Sequence, residues 1–108
     1  MTASYENLVK LEYERQAVRT MKDGPVVMDI VAWYGIPKSV SKRKREAMIG
    51  GAIRPTRKPD CDNVAKVIAD ALNGMAYRDD SQVVSLSVEK RFGDEPRVDV
   101  EIRDWIKG

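Results

Sequence analysis

The sequence predicts a small α+β domain in which two main helices pack on a small mixed or antiparallel sheet. Three observations carry this. Val64, Val67, Ile68, Ala71 and Leu72 recur at helical spacing. Residues 26 to 34 are rich in β-branched and aromatic side chains, as strands are. Val98, Val100 and Ile102 alternate strictly with charged residues, the period of a strand with one wet face. With 108 residues and 43% hydrophobic content, the chain has material for one core, so residues 1–108 are read as one domain.

Along the chain, Ser4-Tyr5-Glu6 reads as an N-cap and first turn, opening a helix over 4–21 that Asp23-Gly24-Pro25 stops. Its apolar residues lie on two sides, Leu8, Leu11 and Val18 on one and Tyr5, Val9, Tyr13 and Ala17 on the other, as for a helix buried twice. The strand over 26–34 puts Val26, Met28, Ile30, Ala32 and Tyr34 on one face, with Trp33 read as core or interface. The second helix runs to a stop at Asn73-Gly74, with Asp62 as its N-cap. Residues 83–92 and 97–103 flank Gly93-Asp94-Glu95-Pro96 and read as a hairpin. No internal repeat is present.

Composition narrows the chemistry. The chain has no histidine, which removes His-based nucleophile activation, a His general base and His-ligated zinc, and leaves carboxylates and lysine for acid–base and metal work. One cysteine, no apolar run near 18 residues and no secretory signal pattern point to a cytoplasmic protein with no disulfide and no membrane span.

The net charge of +2 hides an asymmetry. Residues 38–58 hold Lys38, Lys42, Arg43, Lys44, Arg45, Arg54, Arg57 and Lys58 against a single acid, Glu46. Gly50-Gly51 and Pro55 suggest a flexible basic loop, suited to holding a phosphate backbone. The plain alternative is a solvated loop without a partner. No aromatic residue interrupts it, so base stacking is not indicated there.

The stretch Lys58–Val84, KPDCDNVAKVIADALNGMAYRDDSQVV, gathers the remaining chemistry. If residues 59–62 run extended into the helix, Asp60 and Asp62 share a face and Cys61 turns away. Lys66 lies about 40° from Asp62 around the helix, opposite the apolar face and in reach of an i,i+4 pair. Asp79 and Asp80 follow after a turn long enough for Asp80 to rejoin Asp60, or to serve a neighbouring subunit. Hard oxygen donors of this kind favour Mg²⁺, with Mn²⁺ as a substitute. Each part has a plain reading as cap, turn or surface lysine; the order and spacing together say more.

K-P-D-x-D-N, a lysine four residues after the second Asp, then A-L-N-G and D-D-S-Q-V-V resemble the RusA-type Holliday-junction resolvases. The resemblance covers roughly residues 4–103, with its motif-like part between Lys58 and Val84. It implies that Asp60, Asp62 and Asp80 are essential carboxylates holding Mg²⁺, that Lys66 is the catalytic lysine, and that Asp79 is a secondary acid. It also implies a homodimeric endonuclease acting on four-way DNA junctions in recombination and repair. The family pattern opens with a strand and a basic loop, whereas this chain begins almost at the helix. That departure keeps a second expectation in view, a truncated and catalytically idle module that binds junctions. A third is a structural α+β domain with no DNA affinity.

Overall fold

In a computed structural model of the chain, residues 21–107 are described. The helix expected over 4–21 lies outside them except at Met21, which is not helical. The described elements run β1 (Val26–Gly35), α1 (Lys42–Ile49), α2 (Cys61–Ala71), a short 3-10 turn (Asp80–Gln82), β2 (Val83–Gly93) and β3 (Arg97–Asp104). The fold is α+β, a three-stranded mixed sheet with two helices.

β1 is the central strand. It pairs parallel with β2, Ile30 opposite Val88, and antiparallel with β3, Ile30 opposite Val100. The expected hairpin over 83–103 is therefore corrected: β2 and β3 both form, but β1 lies between them. The Gly93–Pro96 connection crosses the end of β1, where Pro96 Cγ lies 3.5 Å from the position of a Cβ on Gly35. Alternation fixes which face each strand buries, and it is silent about the neighbour.

The core forms between the sheet and α2. Val26, Met28, Ile30, Ala32 and Tyr34 are buried on the face of β1 that the sequence marked. They meet Val64 and Ile68 of α2 and its C-cap Leu72, with Ala76, Tyr77 and Phe92 completing the cluster. Val98, Val100 and Ile102 pack against it from β3. After α2 the chain turns through Gly74, whose φ of +81° is left-handed and suits glycine. The fully buried Tyr77 then donates its hydroxyl back to the Ala69 carbonyl at 2.8 Å. That bond and the Gly74 N–H donated to Tyr77 O at 2.8 Å hold the turn against the helix.

α1 is a second correction, because part of the expected basic loop is a helix. Ser41 caps it by accepting from the Lys44 N–H at 3.2 Å, and Met48 alone is buried. One anchor among charged residues is a weak periodic signal, which explains why the sequence read as loop. Of the two places expected for Trp33, core or interface, the core is not where it lies. It lies half-buried on the face away from the core, between the Arg91 and Arg97 guanidinium groups at 5.4 and 5.0 Å, and donates to Asp99 at 2.9 Å. Among the described residues no helix is long and apolar enough to cross a membrane.

Candidate active site

The site begins where the chain enters α2. The Lys58–Pro59 peptide is cis. Asp60 is the N-cap, extended at φ −79°, ψ 169°, and its carboxylate accepts from the Asn63 N–H at 2.9 Å. Asp62, expected as the cap, sits instead in the first helical turn. Asp60 and Asp62 are thus related by a cap and a helical turn, not by two positions of an extended strand. Both still border one polar depression, together with Lys58, Pro59, Asn63 and Lys66. Cys61 is exposed and outside that lining.

Lys66 stands one turn into the helix on the same side. Its ammonium pairs with Asp70 at 3.4 Å, where the sequence suggested Asp62, and its side chain is 76% exposed. An exposed pair of this kind is worth little, so Lys66 can turn from Asp70 toward an anionic ligand at small expense. Carboxylates in the first turn face the positive end of the helix dipole.

The second acidic pair divides into two roles. Asp79 caps the 3-10 turn: its carboxylate accepts from the Ser81 N–H at 3.0 Å, and Gln82 accepts from the Asp79 N–H at 3.1 Å. Gln82 also donates to the Lys22 and Gly24 carbonyls at 3.0 and 2.9 Å, which locks the turn to the strand entry. The bonds from Ser81 hold the Asp79 carboxyl below its ordinary value. Asp80 is half-buried and borders a different depression, of about 290 Å³, with Met28, Ala69, Val83, Val84, Ser85 and Leu86. The structure lines one depression with Asp60, Asp62 and Lys66, and another with Asp80 and Ala69. Among the described residues, no three carboxylate or thiol side chains converge as a metal cage.

The basic residues fall into separate groups. Lys58 borders the polar depression. Arg57 lies over the Tyr34 ring at 5.2 Å. Arg54 is occupied in structure, donating to the Gly51 and Lys90 carbonyls at 2.8 and 3.1 Å and pairing with Glu89 at 3.7 Å. Lys38, Lys42, Arg43 and Lys44 are exposed, and Arg45 pairs with Asp94 at 3.2 Å. The first turn of α1 holds no acid, so its cations add to the positive helix end. An anion laid there would relieve that repulsion.

Two residues that the sequence reading did not single out as site residues support the motif. The Tyr34 hydroxyl donates to the Pro59 carbonyl at 2.7 Å, and the Lys90 ammonium donates to the Arg57 carbonyl at 2.7 Å. Burial pushes the Tyr34 phenol above its ordinary value, Cys61 and Asp60 add to this, and Arg57 opposes it. The group remains a neutral donor at physiological pH. Asn63, which borders the depression, was visible only as the last letter of K-P-D-x-D-N.

Residues 1–103 match the family described as Endodeoxyribonuclease RusA. The chain belongs to the RusA family. RusA-type proteins are divalent-metal-dependent endodeoxyribonucleases that act on branched DNA, which accords with a polar depression built from carboxylates, an amide and lysines. The chain is also 46% identical over 102 residues to the uncharacterized protein YqaN of Bacillus subtilis (strain 168), a match covering 93% of this chain and 72% of that protein. No solved structure gives a significant match.

Proposed function

We propose that this RusA-family chain is a Mg²⁺-dependent, structure-selective endonuclease that resolves four-way junctions by paired nicks, acting as a homodimer. The polar depression at the start of α2 carries the reading, because Asp60, Asp62 and Asn63 offer hard oxygens there, flanked by Lys58 and Lys66. This donor set fits Mg²⁺ or Mn²⁺. Asp60 and Asp62 would hold the ion, which when bound supplies an activated water and charge neutralisation. One Asp60 oxygen serves the helix cap, and the carboxylate retains further acceptor capacity.

The chain's own groups do the rest. Lys66 stabilises charge developing on the phosphate, released from its exposed pair with Asp70. Lys58 and Arg57 lead into the depression, and Lys38, Lys42, Arg43, Lys44 and Arg45 hold flanking phosphates, with Arg54 bracing the segment. Asp80 joins the site as the third essential carboxylate, from this chain or from a second copy, and Asp79 serves it as the cap of its turn. A two-fold dimer presents two such sites to the two-fold strands of a junction.

The test is a synthetic four-way junction and a matching linear duplex, each incubated with Mg²⁺ or EDTA, using wild type and Asp60→Asn. Symmetric Mg²⁺-dependent nicks confined to the junction and absent in the variant are expected. A second reading, an idle junction-binding module, draws on Asp80 lining a different depression from Asp60 and Asp62. Tight binding by the wild type without cleavage would establish it.

A further inference from the structure

We propose that Lys90 and Tyr34 are positioning residues that set the backbone from which Asp60 and Asp62 reach their depression; the catalytic part of this rests on the nuclease reading above. The observation is a pair of bonds to one short segment. Lys90 Nζ donates to the carbonyl of Arg57 and the Tyr34 hydroxyl donates to the carbonyl of Pro59, each at 2.7 Å. These carbonyls lie two residues apart, immediately before the cap residue Asp60. The segment is thus fixed by side chains from two paired strands just before the carboxylates begin.

The place of Lys90 in the sheet supports a dedicated role. It pairs with Ala32, whose side chain is in the core, so it occupies the core-facing row of β2 between Val88 and Phe92. A lysine there ordinarily runs its stem along the apolar surface and puts its ammonium in water. Here the ammonium lies 5.1 Å over the Tyr34 ring and is bonded to the motif segment. Arg57 approaches the same ring at 5.2 Å. Arg54 holds the Lys90 carbonyl at 3.1 Å, so two points late in the basic segment, Arg54 and Arg57, are tied to one residue of β2. Bonds made directly to ligating side chains typically change metal affinity or activity by about 10–100-fold when removed, and these backbone bonds act one step back on the same carboxylates.

The experiment uses the full chain as wild type, Lys90→Met, Tyr34→Phe and Asp60→Asn. Three readouts are needed: Mn²⁺ affinity by water proton relaxation, amide hydrogen exchange at Asn63, whose N–H Asp60 caps, and kcat, KM and EDTA-condition affinity on a four-way junction. Lys90→Met is expected to weaken Mn²⁺ binding and kcat by about 10–100-fold, to speed Asn63 exchange, and to leave junction affinity within about twofold. Tyr34→Phe, which keeps the ring and so the packing, should move the same readouts in the same direction by less. It decides the matter if Lys90→Met does not fold.

Unchanged Mn²⁺ affinity and Asn63 exchange in both variants would overturn the proposal. Loss of junction affinity with Mn²⁺ binding intact would also overturn it, by making Lys90 a direct phosphate contact. If the wild type neither binds Mn²⁺ nor cleaves, the nuclease reading fails. Asn63 exchange then judges the positioning alone, supporting it if faster in the variants and overturning it if unchanged.

Discussion

The two ends of α2 meet different surroundings. At its start, Asp60 and Asp62 border a polar depression whose backbone is held from β1 and β2. Near its far end, Asp80 borders a depression that is mostly apolar, beside Val84 and Leu86, which are 55% and 49% exposed. Leu86 pairs with the buried Met28 and so belongs to the core-facing row of β2, yet it is open to solvent. One end is a polar depression with two carboxylates, an amide and two lysines in its lining. The other joins a single carboxylate to apolar surface that the described residues leave uncovered.

Asp60→Asn gives the largest expected effect. Asparagine caps a helix as well as aspartate, so the fold is retained while the ligand charge is lost. Cleavage should fall about a thousandfold, equivalent to roughly 4 kcal/mol of transition-state stabilisation, as measured by single-turnover nicking. Asp80→Asn should match that loss if its depression completes the same site. Full activity in that variant would confine the chemistry to the start of α2.

Ile68→Ala strikes the face of α2 that both ends depend on. Ile68 is fully buried, and the truncation should lower unfolding stability by about 2–5 kcal/mol in denaturant titration. Leu86→Ser, by contrast, should change it by less than about 0.5 kcal/mol in dilute solution, because the side chain is already half in water. A larger, concentration-dependent loss would show that an assembly buries this surface.

The smallest effect concerns Asp29, on the face away from the core. Ser87 donates to its carboxylate at 2.6 Å and Arg103 at 3.0 Å, and these bonds lower its pKa. A carboxylate depressed on folding contributes stability above its unfolded value of about 3.9, and loses it as pH falls through the lower folded value. Wild type should therefore melt above Asp29→Asn at neutral pH, with the gap closing below about pH 4. A gap that stays constant down to pH 2 would assign the difference to packing.

The apolar face of α2 and the alternate burial of β1 and β3 were legible in the sequence because core residues repeat with the period of the element. So was the gathering of Asp60, Asp62 and Lys66, although Asp60 turned out to be the cap. Strand order was not legible, since the same alternation serves a hairpin or two strands astride a third. α1 was hidden because Met48 is its sole buried side chain. Tyr34 was read as a core residue and Lys90 was not read at all. What they do depends on where the chain from Arg57 to Pro59 passes, a tertiary fact that no local pattern encodes.

The crossing of β1 by the Gly93–Pro96 connection also bears on how the protein reaches this fold. Among the described residues, no two neighbouring strands are joined by a tight turn: Val26 must find Val83 on one side and Asp104 on the other. Neither ladder can zip from a local nucleus, so the chain closes long loops before any sheet bond forms. Refolding is then expected in the millisecond-to-second range typical of non-local topologies. The carboxylates at the start of α2 acquire their strand-borne braces only after the last third of the chain has found the first strand.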